Sequence, residues 1–244
     1  MSTGLDGRDG LDRRERQVGL VGQVRRVGLV GRVGATGLLI AALASGVYAG
    51  GWAVITVKNL PDYAVAGKPL MLTFLVRQHG VTLLNGLTPK VHATHATRTD
   101  VDADAQPTTG TGEYVAILTL AQPGDWTVTI DSGFLSSATT LPVVKVISAA
   151  APSPAPLPAS VRGERLFVAK GCITCHLHED ITPEPTAFAS IDLTGKRFSP
   201  EYLGRFLANP SIKPPSKSHW PDQMPNLNLE REEIAALIAF LDKH

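Results

Sequence analysis

The chain has 244 residues, a formal net charge of +1 and two cysteines. A charge this close to zero, without a basic stripe, argues against nucleic-acid binding. Two cysteines exclude a four-cysteine zinc site, and one short motif contains both of them, so no separate structural disulfide is expected.

Residues 1–49 have the pattern of an export leader. Residues 1–32 are rich in glycine and arginine without a periodicity that would pack, so we expect no fold there; a start codon assigned too early is an alternative origin. After Arg32 come a short apolar run, 37–44, and Val47-Tyr48-Ala49, typical of a secretory signal. We expect cleavage after Ala49, with an uncleaved anchor as the alternative. The protein is then exported, to the periplasm or the outer face of the cytoplasmic membrane.

Residues 50–147 carry the pattern of a β-domain. Short runs alternate apolar and polar residues, and turn signals separate them. The inward positions are expected to include Tyr114, Ala116, Leu118, Trp126, Val128 and Ile130. The more continuously apolar run 70–76 is typical of a central strand. About seven short strands predict an immunoglobulin-like sandwich.

Three segments of this domain resemble the exported β-sandwich domains of the YtkA/FixH-like kind: Gly51-Trp52-Ala53-Val54, Gln78-His79-Gly80 and Gly124-Asp125-Trp126-Thr127-Val128. The resemblance implies a setting of respiration or copper-oxidase assembly.

Copper binding by the sandwich is a separate hypothesis. Its histidines are His79, His92 and His95, and Met71 adds a soft donor. In an extended strand His92 and His95 point to opposite faces, so we favour surface histidines and a core methionine. An acidic series is expected to be a solvated loop rather than a weak calcium site: Asp100, Asp102 and Asp104.

Residues 148–160 form a linker rich in proline and alanine. Such a segment is semi-extended, at about 3 Å per residue, and reaches roughly 40 Å. The pattern predicts that residues 161–244 are tethered with some freedom, with the sandwich as a docking module.

The segment Cys172-Ile173-Thr174-Cys175-His176 reads C-x-x-C-H, the attachment signature of a c-type haem. Cys172 and Cys175 would each bond a vinyl group of one covalent haem c, and His176 would bind the iron as the proximal ligand. A redox-active dithiol and half of a zinc site are the alternatives. No strand pattern precedes Cys172, which argues against the dithiol.

Helical patterns surround this motif. Gly163 and Phe167 share a helix face. Ser199 and Pro200 predict the N-cap and first residue of a second helix, which ends near Asn209. Its inward residues are expected to be Tyr202, Leu203, Phe206 and Leu207. A last helix is predicted over 230–242, with an apolar face of Ile234, Leu237, Ile238 and Leu241.

Taken together, Gly163, Phe167, the C-x-x-C-H motif, Leu193-Thr194-Gly195, Met224-Pro225 and the last helix resemble a class I cytochrome c over about residues 160–244. The resemblance implies an all-α haem domain. The expected fold class is therefore an all-β sandwich followed by an all-α cytochrome c domain.

Met224 is the expected distal ligand of the haem iron. The chain has three methionines: Met1, Met71 and Met224. Only Met224 follows the haem motif, in a loop before a proline, and the resemblance places the distal methionine there too. His219 is the runner-up, because His178 is too near the proximal side and the terminal His244 is expected to be solvated.

With both axial positions filled, the pattern predicts outer-sphere electron transfer by a carrier rather than an enzyme. The expected partners are redox proteins, including a membrane respiratory complex, without nucleic acid or a small-molecule substrate. Two alternatives remain: a copper-handling or oxidase-assembly protein with a redox haem, and a small haem enzyme in which Met224 is displaced.

Overall fold

The computed structural model describes residues 51–97, 99–182, 191–193, 198–213 and 223–242. These described residues belong to one compact unit. The predicted leader lies outside the described residues. Within the described ranges, no helix is both long and apolar enough to cross a membrane.

The first sheet of the sandwich is antiparallel. Its strands are β1 (Ala53–Val57), β3 (Pro69–Gln78), β4 (Thr82–Leu83), β7 (Gln106–Pro107) and β8 (Glu113–Thr119). The order is β1-β3-β8-β7, and β4 also pairs with β3. Strand β3 therefore lies inside the sheet, as expected for a central strand, and β1 lies at its edge.

The second sheet contains β2 (Ala64–Val65), β5 (Lys90–His95), β6 (Asp100–Asp104), β9 (Gly124–Asp131), β10 (Ala138–Thr140) and β11 (Val144–Ile147). The order is β2-β11-β9-β5-β6, with β10 also on β9. The pair β2–β11 is parallel, and the other pairs are antiparallel. Across both sheets, seven described strands have four or more residues, which agrees with the predicted number of about seven: β1, β3, β5, β6, β8, β9 and β11.

The core between the sheets follows the predicted alternation. The six predicted inward residues of β8 and β9 are buried, and they belong to one apolar cluster. The run 70–76 differs from the prediction, because it alternates too. Met71 is 53% exposed and faces away from the core, opposite Ile117.

The C-terminal part is helical. It contains α1 (Ala159–Ala169), a 3-10 turn (Cys172–Thr174), the short parallel pair β12 (His176–Leu177) and β13 (Ile191–Asp192), α2 (Pro200–Ala208), a second 3-10 turn (Pro210–Ile212) and α3 (Arg231–Leu241). The predicted order, an all-β immunoglobulin-like sandwich followed by a helical domain, is confirmed.

Local signals set the helix ends as predicted. Ser199 Oγ accepts a hydrogen bond from the Tyr202 N–H at 3.2 Å, and Pro200 is the first residue of α2. The Glu230 N–H donates to Glu233 Oε2 at 3.1 Å, which starts α3.

The predicted buried faces need correction. Tyr202 and Phe206 are half-buried and stack on each other, while Leu203 and Leu207 alone enter the core from α2. On α3 the buried residues are Ala236, Leu237 and Phe240. Helix α3 carries apolar residues on more than one face. Its contact with α1 decides which of these faces is buried.

The helical part is not freely tethered, which corrects the prediction from the linker. Helix α1 begins at Ala159, and Arg165 on it donates to two sandwich carbonyls, Val143 O at 2.7 Å and Pro61 O at 3.2 Å. Arg162 also lies 3.8 Å from Asp62. A proline-rich composition predicts a stiff linker, but it carries no information about contacts made beyond its ends.

Candidate haem-binding site

Helices α1 and α3 cross at a glycine and thereby place the C-x-x-C-H motif. A Cβ on Gly163 would overlap the Ala236 carbonyl oxygen and lie 2.7 Å from Phe240 Cβ. The two helices therefore touch backbone to backbone. Phe167, one turn later, packs its ring 5.7 Å from that of Phe240.

The motif starts where α1 ends. Gly171 has φ +80°, a left-handed conformation that glycine adopts without strain, and it turns the chain out of the helix. The 3-10 turn then brings the Cys175 N–H to the Cys172 carbonyl at 3.1 Å. Both cysteines are free and half-buried. The turn thus presents two thiols three residues apart, followed at once by His176.

The two thiols are not activated. Burial raises the pKa of Cys172 to about 12 and that of Cys175 to about 11. Reactive dithiols have lowered pKa values, because the thiolate is the nucleophile. The raised pKa values therefore favour thiols with a structural or anchoring role over a redox-active dithiol. In the described residues no three His, Cys, Asp or Glu side chains are arranged to hold a metal ion.

His176 has the chemistry of an iron ligand. Burial lowers the pKa of His176 to about 4, so the ring is neutral at pH 7 and one of its two nitrogens keeps a lone pair that can bind a metal. Within the described ranges, its Nδ1 is the one buried side-chain nitrogen or oxygen without a hydrogen-bond partner. A buried polar atom without a partner is costly, and haem ligation would use this ring.

Met224 and Cys172 pack against the same apolar cluster. Its buried members are Leu166, Phe167, Leu207, Ala236, Leu237 and Phe240. Half-buried apolar side chains surround it, among them Ile173, Leu193 and Ile234. Apolar side chains beside two thiols and a neutral imidazole suit a haem, because the haem ring is flat and apolar.

The other candidate ligands divide into two groups. His178 is 3% exposed, and its ring stacks 4.6 Å from Phe240 and lies 5.6 Å from Phe167, so it is part of the helical core. His219 and His244 lie outside the described residues, as do Thr194 and Gly195 of the resemblance.

The sandwich histidines do not converge. His92 is exposed, with Nδ1 2.7 Å from Asp102 Oδ1. His95 is buried against Trp126, at 5.1 Å between ring centroids, rather than at the surface as predicted. His79 packs its ring edge on Trp52 at 5.9 Å.

The acidic series 100–104 is a strand, β6, and not the loop that the sequence predicted. All three of its carboxylates lie near side chains of β5: Asp102 is 2.7 Å and Asp100 is 3.9 Å from a ring nitrogen of His92, and Asp104 is 3.2 Å from Lys90 Nζ. Cross-strand charge pairs of this kind support a strand that has a polar composition.

Sequence reasoning missed Lys170 and Glu233. Lys170 is 4% exposed, and its Nζ lies 2.6 Å from Glu233 Oε1. Nothing in the sequence links these two residues, because the contact depends on how α1 and α3 pack.

One comparison with known proteins identifies a family model that matches the C-terminal part of the chain. Residues 160–244 match the family model of cytochrome c. The match supports the resemblance that the motifs predicted, and it indicates a haem electron-transfer domain of a family whose members carry covalent haem c. No curated protein matches the chain.

Three solved structures similar to the chain each match only part of it. The filamin domain of Lin-41 is 14% identical, with a TM-score of 0.32, over 39% of this chain and 91% of that one. FdeC, an Escherichia coli adhesin, is 23% identical, with a TM-score of 0.30, and the chain spans 30% of its length. The D00-D0 domain of intimin is 20% identical, with a TM-score of 0.28, over 39% of this chain and 47% of that one.

Proposed function

We propose that the protein is an exported monohaem c-type cytochrome that carries single electrons between redox proteins. The observation that carries the proposal is the arrangement of the C-x-x-C-H turn. Two unactivated thiols stand directly before a neutral, buried histidine with an unpartnered Nδ1. The match of residues 160–244 to cytochrome c supports the same reading.

In this proposal each site residue has one role. Cys172 and Cys175 would anchor the haem through thioether bonds, and His176 and Met224 would be the ligands of its iron. The bound haem supplies an iron that takes up and releases one electron. The chain supplies the neutral imidazole, the thioether and the apolar surroundings, which together set the reduction potential.

Two protein ligands on the iron would favour a carrier over an enzyme. With His176 and Met224 both bound, the iron would offer no open position to oxygen or peroxide. The proposed partners are therefore redox proteins, including a membrane respiratory complex. Export is supported by the signal pattern of the leader, and by the attachment of c-type haem outside the cytoplasmic membrane.

We propose that the sandwich is a domain of the YtkA/FixH-like kind. Its Gly51–Val54 and Gly124–Val128 segments support this. The alternative of copper handling has less support. Within the described ranges no metal-binding group of His, Cys, Asp or Glu is found, and His92 is bonded to Asp102 and Thr94.

The absorption spectrum tests the ligand assignment. The full chain is produced with a c-type haem maturation system and compared with Met224→Ala. We expect a c-type reduced spectrum and, when oxidised, the weak far-red band of sulfur-to-iron ligation, which Met224→Ala abolishes. A wild-type spectrum without that band would assign the distal position to another residue, such as His219, or leave it open for catalysis.

A further inference from the structure

Strand β1 is covered on a face that an edge strand of a sandwich normally leaves to solvent. Ala53, Ile55 and Val57 point into the sandwich core. The opposite face carries Val54 and Thr56, which are 5% and 1% exposed. Side chains of a strand alternate between two faces, so a second layer must cover this one.

The end of helix α1 supplies that layer. A Cβ on Gly171 would lie 2.5 Å from Val54 Cγ1 and 2.8 Å from the Ile55 carbonyl oxygen, so the chain passes directly over the strand. Ala169 is fully buried in the sandwich core cluster. Gly171, the residue before Cys172, therefore lies directly on β1.

Buried hydrogen bonds fix this contact. Thr56 Oγ1 donates to the Lys170 carbonyl at 3.3 Å and accepts from Arg77 Nη1 at 2.9 Å. Lys170 Nζ donates to the Lys58 carbonyl at 3.2 Å and pairs with Glu233 of α3. Lys170 thus joins the strand to the last helix, two residues before Cys172.

We propose that strand β1 is part of the haem site's scaffold, with Thr56 as a positioning residue that holds the turn carrying Cys172, Cys175 and His176. The sandwich then orders the haem-binding turn, beyond any role in docking. The effect of this contact on the reduction potential of the haem rests on the proposed function. A looser turn admits water to the haem, which favours the oxidised form and lowers the potential.

The test uses the full chain with three substitutions. Thr56→Val removes the hydroxyl and keeps a β-branched side chain suited to a strand. Thr56→Ser restores the hydroxyl. Thr129→Val is the control for loss of a threonine hydroxyl away from the turn, because it removes an exposed 3.0 Å hydrogen bond between the Thr129 and Thr140 hydroxyls in the second sheet. Near-ultraviolet circular dichroism verifies that the sandwich of each variant is folded.

Two quantities are measured for each variant: amide hydrogen exchange of residues 170–178 and the midpoint reduction potential. For Thr56→Val we expect about tenfold faster exchange, because a buried carbonyl loses its donor. We also expect a lower potential, equivalent to about a threefold change in the oxidised-to-reduced ratio. Thr56→Ser should restore both values, and Thr129→Val should leave both unchanged.

The outcomes separate this inference from the proposed function. If Thr56→Val behaves like Thr129→Val in exchange and potential, β1 does not position the turn and the inference is overturned. A change that Thr56→Ser does not reverse also overturns it, because the hydroxyl would not be the cause. If the wild-type chain carries no covalent haem, the proposed function fails, and the exchange data alone decide whether β1 orders the turn.

Discussion

Replacing Gly163 by alanine should destabilise the helical part by about 2 kcal/mol. Inside a helix this change alone stabilises by about 1 kcal/mol, since glycine is the more flexible residue. Here the new Cβ would overlap the Ala236 carbonyl oxygen and lie 2.7 Å from Phe240 Cβ. Overpacking costs about 1–3 kcal/mol, and contact with rigid backbone belongs at the upper end. The difference between the two effects gives the expected loss.

The matched control is Gly204→Ala. Gly204 is in the interior of α2 as Gly163 is in α1, but its Cβ would meet only Ile238 Cδ1, at an ordinary 3.7 Å. This variant should gain up to about 1 kcal/mol. Guanidinium unfolding of the full chain, followed by the helical circular dichroism signal, measures both. If Gly163→Ala is as stable as Gly204→Ala, the close crossing of α1 and α3 is refuted.

Three further predictions concern the same region. Phe167→Ala should cost about 3–5 kcal/mol in guanidinium unfolding, because the ring is buried against His178 and Phe240; a loss below 1 kcal/mol would contradict this packing. Glu233→Gln leaves the buried Lys170 ammonium without its carboxylate and should cost about 3–5 kcal/mol, and an unchanged unfolding midpoint would show that the ion pair is not formed. The raised pKa values of the two motif cysteines keep both thiols protonated at pH 8. Iodoacetamide should therefore modify the folded, haem-free chain far more slowly than the denatured chain, and equal rates would mean that the thiols are accessible and ionised.

Local patterns predicted the elements that local forces determine. Alternation in β9 placed Trp126, Val128 and Ile130 in the core, because successive residues of a strand point to opposite faces. Ser199 and Pro200 set the start of α2 through a cap and a fixed φ, which involve only neighbouring residues.

Features that depend on distant contacts were not predictable in the same way. The apolar run 70–76 did not reveal that Met71 faces outward, since composition does not state which face is covered. The bond from Thr56 to Lys170 spans 114 residues. The sequence around Lys170 does not show whether its side chain is buried or exposed. The packing of α1 on β1 decides that it is buried.

Covalent haem attachment is the most direct test of the account. The full chain is produced with a c-type haem maturation system, denatured, and analysed by mass spectrometry beside a variant in which Cys172 and Cys175 are both alanine. We predict that the wild-type chain gains the mass of one haem, on the peptide that contains residues 172–176, and that the variant gains none. A wild-type chain without bound haem, or with haem that is lost on denaturation, would contradict the assignment of the C-x-x-C-H turn.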